Sequence, residues 1–339
     1  MGRRILPAGK LDHEILERLL GEFSAQDERV ILGPGIGEDA AAISMGDSVL
    51  VVATDPVTFA TSEIGYYSVV VNANDVATSG AKPEWYSLVI LLPEKEGNEG
   101  ILEEIFNQVQ RACNDLGISL IGGHTEITYG LARPILAGQM IGVTKKDGLI
   151  RTAGAQPGDL ILLSKGVSVE GTSIIAREKA ASLLSKGLSE ETLERAKNFL
   201  FDPGISIVQE ALLASRTGEV NSMHDITEGG LANGLYEIAM AANVSIEIEI
   251  DRIPVYKETR ELCDLFNIDP LGLIGSGSLL ITAPPKAAHI IADQGSRAGL
   301  RFTIVGKVVC SGQPSVIFIT DEGRKPAPFF PRDEIVKIL

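Results

Sequence analysis

Five short motifs in this chain combine carboxylates with glycine, asparagine or threonine, and most of them abut an apolar run. They are Gly35-Ile36-Gly37-Glu38-Asp39-Ala40-Ala41, Thr54-Asp55, Asn74-Asp75, Gly122-Gly123-His124-Thr125-Glu126 and Asp225-Ile226-Thr227-Glu228-Gly229-Gly230. Each acid is therefore expected at the end of a strand or the start of a helix. A fold with this grammar carries its polar residues on turns between buried elements. Such turns suit a magnesium–triphosphate complex. Carboxylates meet a polyanion only through a divalent cation, which takes hard oxygen ligands, and glycines let backbone N–H groups approach phosphate. The motifs point to ATP-dependent chemistry.

A length of 339 residues predicts two domains. Apolar residues make up 45% and charged residues 22%, the balance of an ordinary globular protein. The net charge of −15 excludes a nucleic-acid partner that reads a basic stripe, and it disfavours a membrane surface. Cys113, Cys263 and Cys310 are scattered, giving neither a disulfide framework nor a zinc module. There is no apolar stretch of about 20 residues and no signal-peptide pattern after Met1. The expected location is cytoplasmic.

Periodicity predicts a helix over 11–24, a loop at 33–37, a strand at 48–53 ending on Thr54-Asp55, and a helix over 64–79. Pro83 is expected to stop that helix, with a buried strand at 85–92 in which Trp85 is core. A helix over 99–116 ends at Gly117, and a short strand at 118–121 runs into Gly122-Gly123. A strand at 135–144 completes a first domain, 1–150. A second domain, 151–339, follows a loop at 151–158. Its expected strands are 159–164, 221–225, 245–250, 277–282, 302–309 and 315–320; its helices are 171–186, 190–200, 204–215, 231–242, 257–266 and 285–299.

Gly33-Pro34-Gly35-Ile36-Gly37 lacks the strand, helix and distant acid of a dinucleotide fingerprint, and no P-loop motif is present. The segment reads as a loop able to wrap phosphates, or as a plain surface loop. One aspartate of this kind is usually a cap or turn residue; Asp39, Asp55 and Asp75 together favour metal ligation. Asp75, inside an apolar helix, needs a cation to answer it. Gly122 and Gly123 could offer amides to phosphate. His124 and Glu126 could contact metal or substrate, or His124 could be a structural histidine. Glu228 suits either a helix start or a site, whereas Asp225 is read as functional.

In this order the motifs resemble the AIR (aminoimidazole ribonucleotide) synthase superfamily. That group includes the hydrogenase maturation factor HypE, thiamine-monophosphate kinase and selenophosphate synthetase. The stretch Asn74-Asp75-Val76-Ala77-Thr78-Ser79-Gly80-Ala81-Lys82-Pro83 and the turn His224-Asp225-Ile226-Thr227-Glu228-Gly229-Gly230-Leu231 are most similar to HypE-like members. The resemblance implies an α+β, PurM-like two-domain fold. An N-terminal α+β domain would form a β-barrel across a homodimer, with a C-terminal α/β domain and ATP in the cleft. It further implies Mg²⁺ and phosphates on Asp39, Asp55 and Asp75, with Glu126 as a further ligand. Phosphate would lie near Gly35, Gly37, Asn74, Gly122, Gly123, Gly229 and Gly230. Asp225 would serve as metal ligand or general base, and His124 and His224 as acid–base or substrate contacts.

The implied chemistry is phosphoryl transfer from ATP to an amide or carbonyl oxygen of a small-molecule or protein substrate. A maturation protein is the implied partner. HypE carries a carbamoyl-accepting cysteine at its C-terminus, and here no cysteine follows Cys310, so either the acceptor is a different molecule or the chain is a paralogue with its own substrate. A thiamine-monophosphate-type kinase and a non-catalytic nucleotide-binding maturation partner are the alternative readings.

Overall fold

The computed structural model describes residues 11, 13–21, 27–35, 37–57, 62–95 and 97–339. The expected first helix is seen as α1 (His13–Leu20), and residues 12 and 22–24 of that expectation lie outside the described residues.

The N-terminal half then runs β1 (Val30–Leu32), β2 (Ala41–Met45), β3 (Ser48–Val57), α2 (Ile64–Thr78), β4 (Lys82–Pro93), α3 (Glu99–Leu116), β5 (Ser119–Thr128) and β6 (Ile135–Lys145). Its six strands form one sheet in the order β1-β2-β3-β6-β4-β5, in which only β4 and β5 pair parallel. A parallel pair needs a crossover, and α3 supplies it. The buried side chains of β4 alternate as Tyr86, Leu88, Ile90 and Leu92, the period of a half-buried strand.

Helix α2 is buried along nearly its whole surface. Its mostly apolar sequence fits that position, because a helix without a polar face must be enclosed. Apolar side chains from both halves join in one continuous core around it, including Val51 of β3, Val69 of α2, and Ile174 and Ala211 from the C-terminal half.

The C-terminal half runs β7 (Leu160–Ser164), α4 (Val169–Glu178), α5 (Ala180–Ser185), α6 (Glu190–Asn198), α7 (Val208–Ser215), β8 (Ser222–Asp225), α8 (Gly230–Ala242), β9 (Val244–Glu249), α9 (Lys257–Phe266), β10 (Leu279–Ala283), α10 (Pro285–Arg297), β11 (Phe302–Ser311), β12 (Ser315–Thr320) and β13 (Gly323–Pro326). The seven strands are ordered β13-β12-β9-β11-β7-β10-β8. All pairs are antiparallel except β9–β12. Both faces of this sheet are covered. Ile161 and Leu163 of β7 join one core cluster and Leu162 the other, so consecutive residues serve opposite layers. No helix among the described residues is long and apolar enough to cross a membrane.

Several local expectations need correction. Pro83 does not precede a strand but lies inside β4, at a register shift opposite Gly142, where a missing N–H is tolerated. Trp85 is 36% exposed rather than core, because it falls on the face of β4 opposite Tyr86. The expected helix over 171–186 is broken into α4 and α5 at Lys179. Most consequential, the strand expected to stop at residue 121 continues to Thr128. Gly122 and Gly123 are therefore strand interior, not a turn. Gly123 serves close strand approach: a Cβ there would lie 2.0 Å from the Leu88 carbonyl oxygen.

Candidate active site

The two halves meet through polar residues on three elements. The loop between β1 and β2 carries Asp39, β8 ends on His224 and Asp225, and α8 carries Glu237. Nδ1 of His224 lies 2.8 Å from Asp39 Oδ2, and its Nε2 lies 2.7 Å from Glu237 Oε2. Asp225 completes a cluster in which Asp39, His224 and Asp225 each offer a ligand atom, all within 4.8 Å of one another. His224 and Asp225 are buried and Asp39 is partly open. The site is thus closed on its β8 side.

Its electrostatics follow from that enclosure. Burial works against a charged His224 ring, but the carboxylates of Asp39 and Glu237 outweigh it and raise the pKa well above its usual value. Beside it, Glu38 is raised by burial first and by Asp39 second, against the pull of Arg151. The two carboxylates thus favour the protonated form of the His224 ring. Asp39 and Asp225 are then the hard oxygen donors that a magnesium ion prefers, while both His224 nitrogens are engaged by carboxylates. The donor set fits Mg²⁺, with the imidazole as support and not as ligand.

Other anticipated residues are placed differently. Asp55 sits within β3, and its backbone N–H donates to Asn72 Oδ1 at 2.8 Å while Asn72 Nδ2 donates to its carbonyl at 3.2 Å. Asp75 is buried on α2, a helix that packs against β8. Neither is among the three residues whose ligand atoms lie within 4.8 Å of one another. Gly35 and Gly37 lie in the Asp39 loop, where the Glu38 N–H donates to the Gly35 carbonyl at 3.4 Å.

Three groups of expected contacts have these surroundings within the chain. Asn74 Nδ2 donates to the Ile205 carbonyl and its Oδ1 accepts from the Ile207 N–H, both at 2.9 Å. It clamps the halves together. The Gly229 N–H donates to Asp333 Oδ2 at 2.7 Å and the Gly230 N–H to the Thr227 carbonyl at 3.1 Å. Both amides are spent within the chain, and Gly230 instead allows close approach, since a Cβ would fall 2.5 Å from the Leu271 carbonyl.

His124 and Glu126 lie on β5, exposed, with 3.5 Å between Nε2 and Oε2. That strand is the opposite edge of the six-stranded sheet from β1 and β2, which flank Asp39. Within one chain they and Gly122-Gly123 stand apart from the cluster.

Sequence reasoning missed Glu237. The signal was available: Glu237 is the one charged residue in Gly-Leu-Ala-Asn-Gly-Leu-Tyr-Glu-Ile-Ala-Met-Ala-Ala, the sequence of α8. An isolated acid in a buried helix calls for a partner.

Residues 37–144 match the AIR synthase related protein N-terminal domain, and residues 156–319 match the corresponding C-terminal domain. The chain belongs to the AIR synthase related family. It is 30% identical over 265 residues to a putative hydrogenase expression/formation protein of Methanocaldococcus jannaschii, covering 75% of each chain. It is 29% identical over 297 residues to the carbamoyl dehydratase HypE of Cupriavidus necator, covering 85% of this chain and 81% of that one. Among solved structures, the hydrogenase maturation protein HypE in complex with ATP superposes with a TM-score of 0.71 at 22% identity, over 97% of both chains. The PurM-like two-domain fold expected from the motifs is the fold observed.

Proposed function

We propose that this chain is a magnesium-dependent, ATP-using enzyme that activates an amide or carbonyl oxygen by phosphorylation, in the manner of a HypE carbamoyl dehydratase. What carries the reading is the meeting of Asp39 and Asp225 across the two halves, held by His224. The family relationship and the ATP-bound HypE neighbour support the nucleotide. Asp39 and Asp225 would hold Mg²⁺, with Asp55 and Asp75 as further acids toward it. Bound there, the ion would neutralise charge developing on the transferred phosphoryl group.

The reaction proceeds by attack of the substrate's amide oxygen on the γ-phosphorus as the bond to ADP breaks. Phosphate is a good leaving group where amide oxygen is a poor one. Its departure, with loss of both amide protons, leaves a carbon–nitrogen triple bond. Asp225, buried at the end of β8, would accept a proton only as the alternative to holding the ion, and otherwise water takes both amide protons. The substrate is a carbamoylated protein or small molecule, and a hydrogenase maturation protein is the partner, as the names of the relatives suggest.

A second copy of the chain is proposed against β5. Leu120, Ile121 and Ile127 are 44%, 56% and 61% exposed there. An apolar strand at a sheet edge invites pairing with another chain. His124 and Glu126 would then serve at the junction between copies.

The test is ATP turnover with Mg²⁺, alone and with a carbamoylated peptide, in the wild type and in Asp225→Asn. ADP release that rises with the peptide and falls at least 100-fold in Asp225→Asn supports the reading. Equal turnover in the two proteins would overturn it.

A further inference from the structure

His224 is held at both ring nitrogens, by Asp39 at 2.8 Å and by Glu237 at 2.7 Å. A ring bound at one nitrogen can swing about its own bonds. Bound at both, it is fixed in plane and tilt, and so is the carboxylate hydrogen-bonded to it.

The same helix meets the Asp39 loop a second time. A Cβ on Gly37 would lie 3.5 Å from the Glu237 carbonyl oxygen and 3.6 Å from the Ala241 Cβ. The loop therefore passes α8 at Gly37 with about a methyl's width between them, and it is tied to the Glu237 carboxylate, through His224, at Asp39. One helix thus flanks the Asp39 loop at one point and fixes its carboxylate at another.

We infer that Glu237 is the positioning residue of the Asp39–Asp225 metal site. Acting through His224, it presents one oxygen of Asp39 to the imidazole and leaves the other for the cation. A C-terminal helix thereby sets the geometry of a ligand that the N-terminal half supplies, and the site is complete only when the halves are docked. This inference rests on the reading that Asp39 and Asp225 hold a divalent cation.

The test uses full-length protein without nucleotide and Mn²⁺ as the probe, with free Mn²⁺ followed by electron paramagnetic resonance. Four proteins are compared: wild type, Glu237→Ala, Glu237→Asp and Asp39→Asn. Glu237→Asp keeps the charge and the fold but withdraws the carboxylate by one methylene. Glu237→Ala and Glu237→Asp should each bind Mn²⁺ about 10- to 100-fold more weakly than wild type, the usual cost of losing an outer-sphere partner. Amide hydrogen exchange over residues 37–41 should speed up in both, while residues 279–283 of the sheet interior keep their protection. Wild-type Mn²⁺ affinity in Glu237→Ala and Glu237→Asp, with binding lost in Asp39→Asn, overturns the role of Glu237 and leaves the metal reading intact. Wild-type Mn²⁺ affinity in Asp39→Asn overturns the metal reading itself, and the inference with it.

Discussion

Asp39 and His224 are 185 positions apart in the chain and 2.8 Å apart in the fold. Their contact ties the loop before β2 to the end of β8, and it is largely buried. Replacing His224 by Phe keeps a planar ring but leaves Glu237 buried against carbon. Breaking a buried pair from one side costs about 3–5 kcal/mol. Urea unfolding of His224→Phe should show a loss of that size, and a loss under about 1 kcal/mol would mean that the contact is idle.

Asn74 is the second tie between the halves. Asn74→Ala leaves the buried Ile205 carbonyl and Ile207 N–H without their side-chain partner. Each orphaned backbone group costs about 1–3 kcal/mol, so the variant should lose about 2–6 kcal/mol in denaturant unfolding. A nucleotide-binding asparagine would instead lower ATP affinity and leave unfolding of the ligand-free protein unchanged. The two outcomes are separable on one protein preparation.

Lys165 and Glu210 form a buried ion pair at 2.9 Å, and Lys165 Nζ also donates to the carbonyls of Gly204 and Ser206. Burial pulls the lysine pKa down, and Glu210 opposes it. Lys165→Met alone should cost about 3–5 kcal/mol, because it strands Glu210. The double variant Lys165→Met, Glu210→Leu should recover most of that loss. Thermal unfolding of the two proteins checks the difference.

Glu170 sets a pH dependence whose sign can be worked out. Burial raises its pKa from 4.5 to about 7, while hydrogen bonding from Ser276 works the other way. The unfolded carboxyl releases its proton near its ordinary value; the folded one keeps it until about pH 7. Between those values the native state binds more protons, so the contribution is full at low pH and is lost as pH rises. The span corresponds to about 3 kcal/mol. Glu170→Gln should flatten the fall in stability between about pH 4.5 and pH 7. An unchanged slope in urea midpoints would refute the assignment.

The edge strand β5 carries the last prediction. Ile121 and Ile127 are exposed in the single chain, so an acid at either position should not disturb the fold. Ile121→Asp and Ile127→Asp should convert a dimer to a monomer by light scattering, with unchanged circular dichroism. A wild type that is already monomeric would remove the proposed interface.

Much was legible in the sequence because its causes are local. The mostly apolar run from Ile64 predicts an enclosed helix, Gly117 marks the end of α3, and the alternation in Ser-Ile-Glu-Ile-Glu gives β9. Asp39 and Asp225 stood out because acids beside glycine at element ends have few structural reasons to be there. Which of those acids converge is another matter. The Asp39–His224 hydrogen bond depends on the packing of two halves, and no periodicity within either half encodes that. The same packing gave Asn74 a backbone to clamp. Tertiary folding within each half gave the Gly229 amide to Asp333 and set β5 at the far edge of its sheet, away from Asp39. Short-range sterics and hydrophobic period chose the elements. Their mutual placement, decided by one shared core around α2, chose the site.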